Sequence, residues 1–254
     1  MAIYELKCFG ARPGQGNAAL VVFDGPAAAE ERQAFAKAAN KSACVFVDGA
    51  TLDYYYPHTR SALCLHATLA AARVLLADSP GALTVRTAMH GQELVLRRSG
   101  AAIFASLAPQ AAPEVAPPAD LAERLLAAPG LAIVTPPAVA SVGSPKMLVE
   151  VANSATLQAL HPNLAAIVDW GKANGVNGIY AWCRRTDGAF EGRNFNHLDP
   201  AIEDSATGVA AGALTVHLGR ALDLYQGAQR GHPCLLRTRL DGDQILVGGA
   251  AEYV

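Results

Sequence analysis

Leu63-Cys64-Leu65-His66-Ala67-Thr68-Leu69-Ala70-Ala71-Ala72 decides the reading of this chain. A thiol and an imidazole stand just ahead of a run of strong helix formers. Small side chains fill the first turn, so the backbone N–H groups of a helix start are open to an anion. A second stretch repeats the idea: Ile202-Glu203-Asp204-Ser205-Ala206-Thr207-Gly208-Val209-Ala210-Ala211-Gly212-Ala213-Leu214. Ala67-Thr68 and Ala206-Thr207 hold like positions in the two. One stretch offers Cys and His, the other Asp and Glu. If both helix starts open on one cleft, the cleft binds a carboxylate between acid–base groups.

The helices His66 to Ala77 and Thr207 to Leu218 carry Ala, Val and Leu nearly all round, which marks buried helices. Short strands surround each in sequence. In the first half these are Ile3 to Phe9, Ala18 to Phe23, Cys44 to Asp48, Leu52 to Tyr56, Leu83 to Thr87, Gln92 to Arg98 and Ala101 to Ser106, with a helix over Ala27 to Ala39. Pro109 to Pro118 holds four prolines and one charge, the composition of an extended linker. The second half places helices at Asp120 to Ala127, Ser154 to Leu160 and Leu164 to Lys172. Its strands fall at Ala132 to Thr135, Lys146 to Val151, Gly178 to Cys183, Cys234 to Arg239, Gln244 to Val247 and Glu252 to Val254. The expected architecture is α/β (α+β): two pseudo-symmetric domains, residues 1–112 and 120–254, each a curved, mostly antiparallel sheet around a central helix.

Composition narrows the function. With 254 residues and 52% hydrophobic content the chain has material for a sizeable core, yet its longest apolar runs fall short of a membrane span. Met1-Ala2-Ile3-Tyr4-Glu5 enters a strand pattern directly, without the features of a signal peptide. A net charge of −2 and no basic block argue against nucleic acid. The expectation is a soluble, cytoplasmic protein with neither a membrane nor a nucleic-acid partner. Cys8, Cys44, Cys64, Cys183 and Cys234 are odd in number and scattered, so no disulfide framework or zinc spacing emerges. His58, His66 and His197 lack ligand spacing, against a metal hydrolase. Gly14-Gln15-Gly16 lacks the remaining residues of a nucleotide loop. No metal, flavin, nicotinamide or pyridoxal cofactor is expected.

Several ordered motifs resemble the phenazine-biosynthesis PhzF-like family, which shares its two-domain fold with diaminopimelate epimerase and proline racemase. Arg12-Pro13 and Gly16-Asn17 look like its opening Gly-Asn-Pro motif. Asn40 to Val47 is similar to Asn-x-Ser-Glu-Thr-x-Phe, and Leu63 to Ala72 to Cys-Gly-His-Ala-Thr-Leu-Ala. Arg193 to Leu214 matches Arg-x-Phe…Glu-Asp-Pro-x-Thr-Gly-Ser-Ala, and Gln226-Gly227 through Gly231 and Gly248-Gly249 match the closing strands. The resemblance implies a homodimer and a cofactor-independent isomerase or epimerase that moves a proton at carbon on a small carboxylic acid held between the domains. It implies Asp204 and His66 as catalytic residues, with Gly16, Asn17, Leu65, Ala67, Thr207, Gly208 and Val209 around the substrate. The departures are pointed. The family's acid–base Glu is Ala43 here, its Gly before His is Leu65, its Pro after Asp is Ser205, and its Ser after Thr-Gly is Val209.

Each residue also has a structural reading. Asp204 is either the acid–base carboxylate or a cap of the following helix. His66 either orients Asp204 or a substrate carboxylate, or is a satisfied helix-start histidine. Cys64 is either the replacement shuttle, as a Cys at the matching helix start is in the related epimerases, or inert packing. Cys44 sits at a strand end, and the Ser144-Pro145-Lys146 turn either places a charge at the cleft or carries an ordinary strand-edge lysine. Tyr54-Tyr55-Tyr56 alternates faces, with at least one ring inward and one outward. The alternative function is a non-catalytic small-molecule binder that kept the cleft and lost its Glu at Ala43.

Overall fold

Apolar residues placed to cover an inner helix build strand after strand in the first part of the chain. The computed structural model describes residues 1–77, 81–197 and 200–254; residues 198 and 199, inside the stretch Arg193 to Leu214 quoted above, lie outside it. The order begins β1 (Ala2–Phe9), β2 (Gly16–Phe23), α1 (Ala29–Ala39), β3 (Ala43–Asp48), β4 (Thr51–Tyr55), β5 (Arg60–Ser61) and α2 (Leu65–Leu75). β6 (Leu83–Thr87), β7 (Glu93–Ser99) and β8 (Ala102–Leu107) follow. Then come α3 (Leu121–Leu125), β9 (Ala138–Ala140), β10 (Lys146–Glu150), α4 (Ser154–Gln158), α5 (Leu164–Asn174), β11 (Ile179–Arg184) and β12 (Phe190–Phe195). The chain ends with α6 (Gly208–Leu218), β13 (Asp223–Gln226), β14 (Cys234–Asp241) and β15 (Gln244–Tyr253).

Two compact units result: Met1–Leu107 with Leu246–Val254, and Ala108–Ile245. In the first, the strands run β1-β2-β3-β4-β6-β7-β8-β15, and β15 returns to β1 with Leu6 opposite Tyr253 and Cys8 opposite Ala251. The sheet thus closes on itself. α2 packs against β1, β2, β3, β7 and β8, and Leu65 through Ala72 are all buried. α1 covers the outer face of β3 and β4.

This corrects two expectations. The last strand belongs with the first unit, not with residues 120–254, because its backbone completes the edge of β1. The two closing strands expected at 244–247 and 252–254 are one strand. Tyr54 and Tyr55 take opposite faces of β4, as their alternation implies, and both are buried; Tyr56 after them is half-buried. The Tyr54 hydroxyl meets Thr68 of α2 at 2.8 Å, while Tyr55 packs with Leu20, Phe46 and Ala36 on the face that α1 covers.

The second unit orders its strands β14-β13-β12-β11-β10-β9, parallel at β10–β11 and β12–β13. α6 packs against β9, β10 and β14, and α4 against β11 and β12. The proline-rich stretch is not a free linker: Gln110 bridges to Ser141, and Val115 packs into this unit's core beside Leu121, Met147 and Ile179. The strand expected at 132–135 is a single bridge, Ile133 to Val151. β9, β12 and β13 escaped the pattern. In β12, Glu191 and Arg193 sit at buried positions, where polarity hides the strand period.

Charge is buried in the first unit as well. Arg32 reaches both Asp53 (3.0 Å) and Asp48 (2.9 Å), and Arg60 reaches Asp53 (2.8 Å). The Tyr55 hydroxyl also donates to Asp53, at 3.1 Å. Asp53 is therefore structural. Asp53→Ala leaves a buried guanidinium short of its carboxylate, and we expect a loss of about 3–5 kcal/mol in urea unfolding. Arg86→Ala, which breaks the exposed pair with Glu93, is expected to cost less than about 1 kcal/mol.

Candidate functional site

The polar residues singled out in the sequence gather at two helix starts, one in each unit. In the first unit, Cys64 is the extended residue that precedes α2. Its carbonyl accepts the Thr68 N–H and the Thr68 hydroxyl, both at 2.9 Å. Since the Thr68 proton goes to that carbonyl, Tyr54 donates to the Thr68 oxygen. These bonds fix the turn, while Leu65, His66 and Ala67 keep N–H groups with no acceptor inside the helix. The Cys64 sulfur lies 3.4 Å from His66 Nδ1. Burial pushes the His66 imidazole down to about 4, so at neutral pH the ring is uncharged. A neutral ring accepts a hydrogen bond from the thiol or orients a partner, but it brings no proton of its own charge. Gly16 and Asn17 open β2, opposite Phe9 and Cys8, on a strand against which α2 packs. Gly16 has φ +112°, and a Cβ there would meet the Cys8 carbonyl oxygen at 2.4 Å, so only glycine fits. Ala43 is fully buried and offers no acid–base group. Burial pushes the neighbouring Cys44 thiol up to about 11, which removes it as a shuttle.

The second unit holds Asp204, Thr207, Gly208 and Val209. Thr207, not Asp204, precedes α6 as its cap residue. Asp204 stands three residues earlier and accepts from the Thr207 hydroxyl at 3.3 Å, so the capping reading of Asp204 fails. Gly208 and Val209 are the N–H groups left without intrahelical acceptors; Ala210 and Ala211 both donate to the Thr207 carbonyl at 3.1 Å.

Gln226 of β13 holds this turn. Its Nε2 donates to the Asp204 carbonyl (2.8 Å) and the Thr207 hydroxyl (3.0 Å). Its Oε1 accepts from the Thr207 N–H (3.2 Å) and the Tyr180 hydroxyl (3.0 Å). Two donors and two lone pairs are all used. Gly227 follows because the Ser205 backbone passes so close that a Cβ would lie 2.6 Å from its carbonyl oxygen. On the other side, Arg193 grips Glu203 through two bonds, of 3.0 and 2.9 Å. It also donates to the carbonyls of Leu157 and Leu160. Glu203 is thus committed to an ion pair, while the Asp204 side chain bonds to the Thr207 hydroxyl alone among the described residues.

Asp204 is half-buried, and burial, the largest influence, pushes its carboxyl up to about 6. Lys146, the Thr207 hydroxyl and Glu203 act on it in turn, the first two downward and Glu203 upward. Lys146 corrects the sequence reading. It opens β10 but is 1% exposed rather than a strand-edge residue, and burial pushes its amine down to about 8. The sequence showed Gln226 only as a motif residue and left Lys146 between a charge at the cleft and a strand-edge lysine. A lone lysine ahead of Met-Leu-Val was the available signal. Among the described residues no group of three His, Cys, Asp or Glu side chains converges as metal ligands, and no helix is long and apolar enough to cross a membrane.

The family model for phenazine biosynthesis-like proteins (PhzC-PhzF) matches residues 6–253. This chain belongs to that family. It is 30% identical to the trans-2,3-dihydro-3-hydroxyanthranilate isomerase of Pseudomonas aeruginosa over 93% of this chain and 89% of that one. A solved predicted epimerase from the same organism superposes with a TM-score of 0.78 at 23% identity, over 99% of this chain and 96% of that one. A hydroxyproline epimerase from Agrobacterium vitis, solved with trans-4-hydroxy-L-proline, gives a TM-score of 0.65 at 11% identity, over 99% and 88%. The fold is a mixed α/β, sheet-dominated one of the diaminopimelate epimerase type, and the family includes isomerases.

His66 and Asp204 have opposite pH signatures. The His66 value falls from 6.5 to about 4 on folding, so between these values the unfolded chain binds the extra proton and stability is lost as pH drops. The Asp204 value rises from 3.8 to about 6, so the folded chain binds the proton first and stability is gained as pH drops. His66→Asn removes only the first contribution. The variant should therefore gain stability relative to wild type, by on the order of 3 kcal/mol, as pH falls from 6.5 to 4 in urea titrations. A constant difference across that range contradicts the burial of an uncharged ring.

Proposed function

We propose that the protein is a cofactor-independent isomerase or epimerase acting on a small carboxylic acid bound between its two domains. The observation that carries this reading is Asp204. It stands in the turn ahead of α6 that Gln226 ties down, its side chain accepts from the Thr207 hydroxyl at 3.3 Å, and burial pushes its carboxyl up to about 6. A C–H bond beside a carboxylate is a weak acid. A base of that strength in a water-poor site is suited to remove its proton and return it. The N–H groups of Gly208 and Val209, and of Leu65, His66 and Ala67, are the donors for the substrate carboxylate and for the charge that develops on it. Gly16 and Asn17 complete the wall.

Ala43 shapes the mechanism. Without the family's Glu, a one-base scheme has Asp204 take the proton from one carbon and return it to another, with neutral His66 as orienter. A two-base scheme adds Cys64 as the second group. The His66 imidazole, disfavoured as a cation, is a poor acceptor for the full Cys64 proton, which favours one base. Burial of an alanine at position 43 also supports the second reading, a binder without chemistry.

Solvent deuterium wash-in across a panel of small carboxylic acids tests both, because a binder exchanges no C–H proton. We expect exchange with at least one acid, and a loss on the order of 10²–10⁴ in rate for Asp204→Asn. Cys64→Ala should keep most of the exchange under the one-base scheme and lose it under two bases. Exchange unaltered in Asp204→Asn removes Asp204 from the mechanism; ligand binding with no exchange by any acid establishes the binder.

A further inference from the structure

The buried amide of Gln226 has its orientation fixed by the backbone. The Asp204 carbonyl, 2.8 Å from one end, can only accept, and the Thr207 N–H, 3.2 Å from the other, can only donate. The first end is therefore Nε2 and the second Oε1. The surrounding protons follow from that choice. The Tyr180 hydroxyl, 3.0 Å from Oε1, donates to it. The second Nε2 hydrogen points at the Thr207 side-chain oxygen at 3.0 Å, so that oxygen accepts. A hydroxyl has one proton, and that of Thr207 is left for Asp204 Oδ2 at 3.3 Å. Tyr180, Gln226 and Thr207 are 0%, 2% and 7% exposed, so water does not compete for these bonds. The bonds run one way, from Tyr180 and the amide through the Thr207 hydroxyl to the carboxylate. Asp204 Oδ1 has no partner among the described residues.

We propose that Gln226 is a positioning residue for the proton transfer: by directing the Thr207 hydroxyl at Oδ2 it holds the Asp204 carboxylate so that Oδ1 takes the proton from carbon. In that step the substrate C–H bond breaks and an O–H bond forms at Oδ1. The electron pair stays on the substrate as an enolate, and the same proton returns from Oδ1 to a second carbon. Oδ2 accepts from Thr207 throughout, and neither Gln226 nor Thr207 gains or loses a proton. A hydroxyl whose proton is committed to a carboxylate favours the ionised form, and the Thr207 bond acts on Asp204 in that direction, against burial. The role suits a chain with Ala43 at the usual Glu position, because one base with one free oxygen then serves both carbons.

The proposal rests on the reading of Asp204 as the acid–base group, and its test needs no substrate. The full chain is labelled with aspartate carrying ¹³C in the side-chain carboxyl. The Asp204 signal is assigned by its loss in Asp204→Asn, and its titration midpoint is read by NMR. Lys146 and Glu203, the charged groups that act on Asp204, stay in every variant. Thr207→Val is expected to raise the midpoint by about one pH unit, while Thr207→Ser, which keeps the hydroxyl, stays near wild type. Gln226→Met, which adds no charge, moves it the same way by up to about one unit. The double variant of Thr207→Val and Gln226→Met goes no further than Thr207→Val alone, because the amide acts through the hydroxyl. A midpoint unmoved in Gln226→Met, or shifts that add in the double variant, overturns the assignment. Should Gln226→Met not fold, Thr207→Val decides, since an unmoved midpoint there leaves the amide nothing to act through. Solvent exchange that survives Asp204→Asn would sink the catalytic reading while leaving these midpoints intact, so the two fail separately.

Discussion

A helix that is apolar on every face must be enclosed. In α2 the eight residues Leu65 to Ala72 are all buried, and in α6 so are Gly208 and Ala210 to Thr215. Water cannot satisfy such a surface, so sheet must cover it. In the first unit this forces closure, with β15 completing the edge of β1. The same enclosure sets the electrostatics of the helix starts. Burying a helix start removes water from its unpaired N–H groups and from any titratable side chain beside them. His66 loses its charge for that reason, and Asp204 and Lys146 are driven toward one another's ordinary range.

The two helix starts solve the problem differently. The first is held by hydroxyls: Tyr54 to Thr68, and Thr68 to the Cys64 carbonyl. The second is held by an amide, with Gln226 tying Asp204 and Thr207 together from the next strand. The Arg193–Glu203 pair then fixes the chain leading into it. Such satisfied networks are rigid and hold each turn in one geometry.

The sequence displayed the fold wherever burial was one-sided or total. The strands of the first unit and both central helices followed from apolar pattern. The pattern failed where buried positions were polar, as at Glu191 and Arg193 in β12, whose partners Gln158, Arg185 and Glu203 all lie outside the strand. It failed again at β15, because which sheet a closing strand joins depends on long-range pairing that no local period encodes. For the site, the motif residues were legible and their neighbours were not. Thr207 displaced Asp204 as the cap, and Lys146 gave no sign of burial beyond its place ahead of an apolar strand. Gln226 was visible as a motif letter, but its role exists only in three dimensions.

The central claim is that these helix starts bind the carboxylate of the substrate. A crystal structure of the full chain with a small aromatic carboxylate such as benzoate tests it most directly. The account predicts carboxylate oxygens about 2.7–3.2 Å from the N–H groups of Gly208 or Val209, or of Leu65 to Ala67, with Asp204 beside the ligand. Benzoate bound elsewhere on the protein, with both helix starts unoccupied, would contradict it.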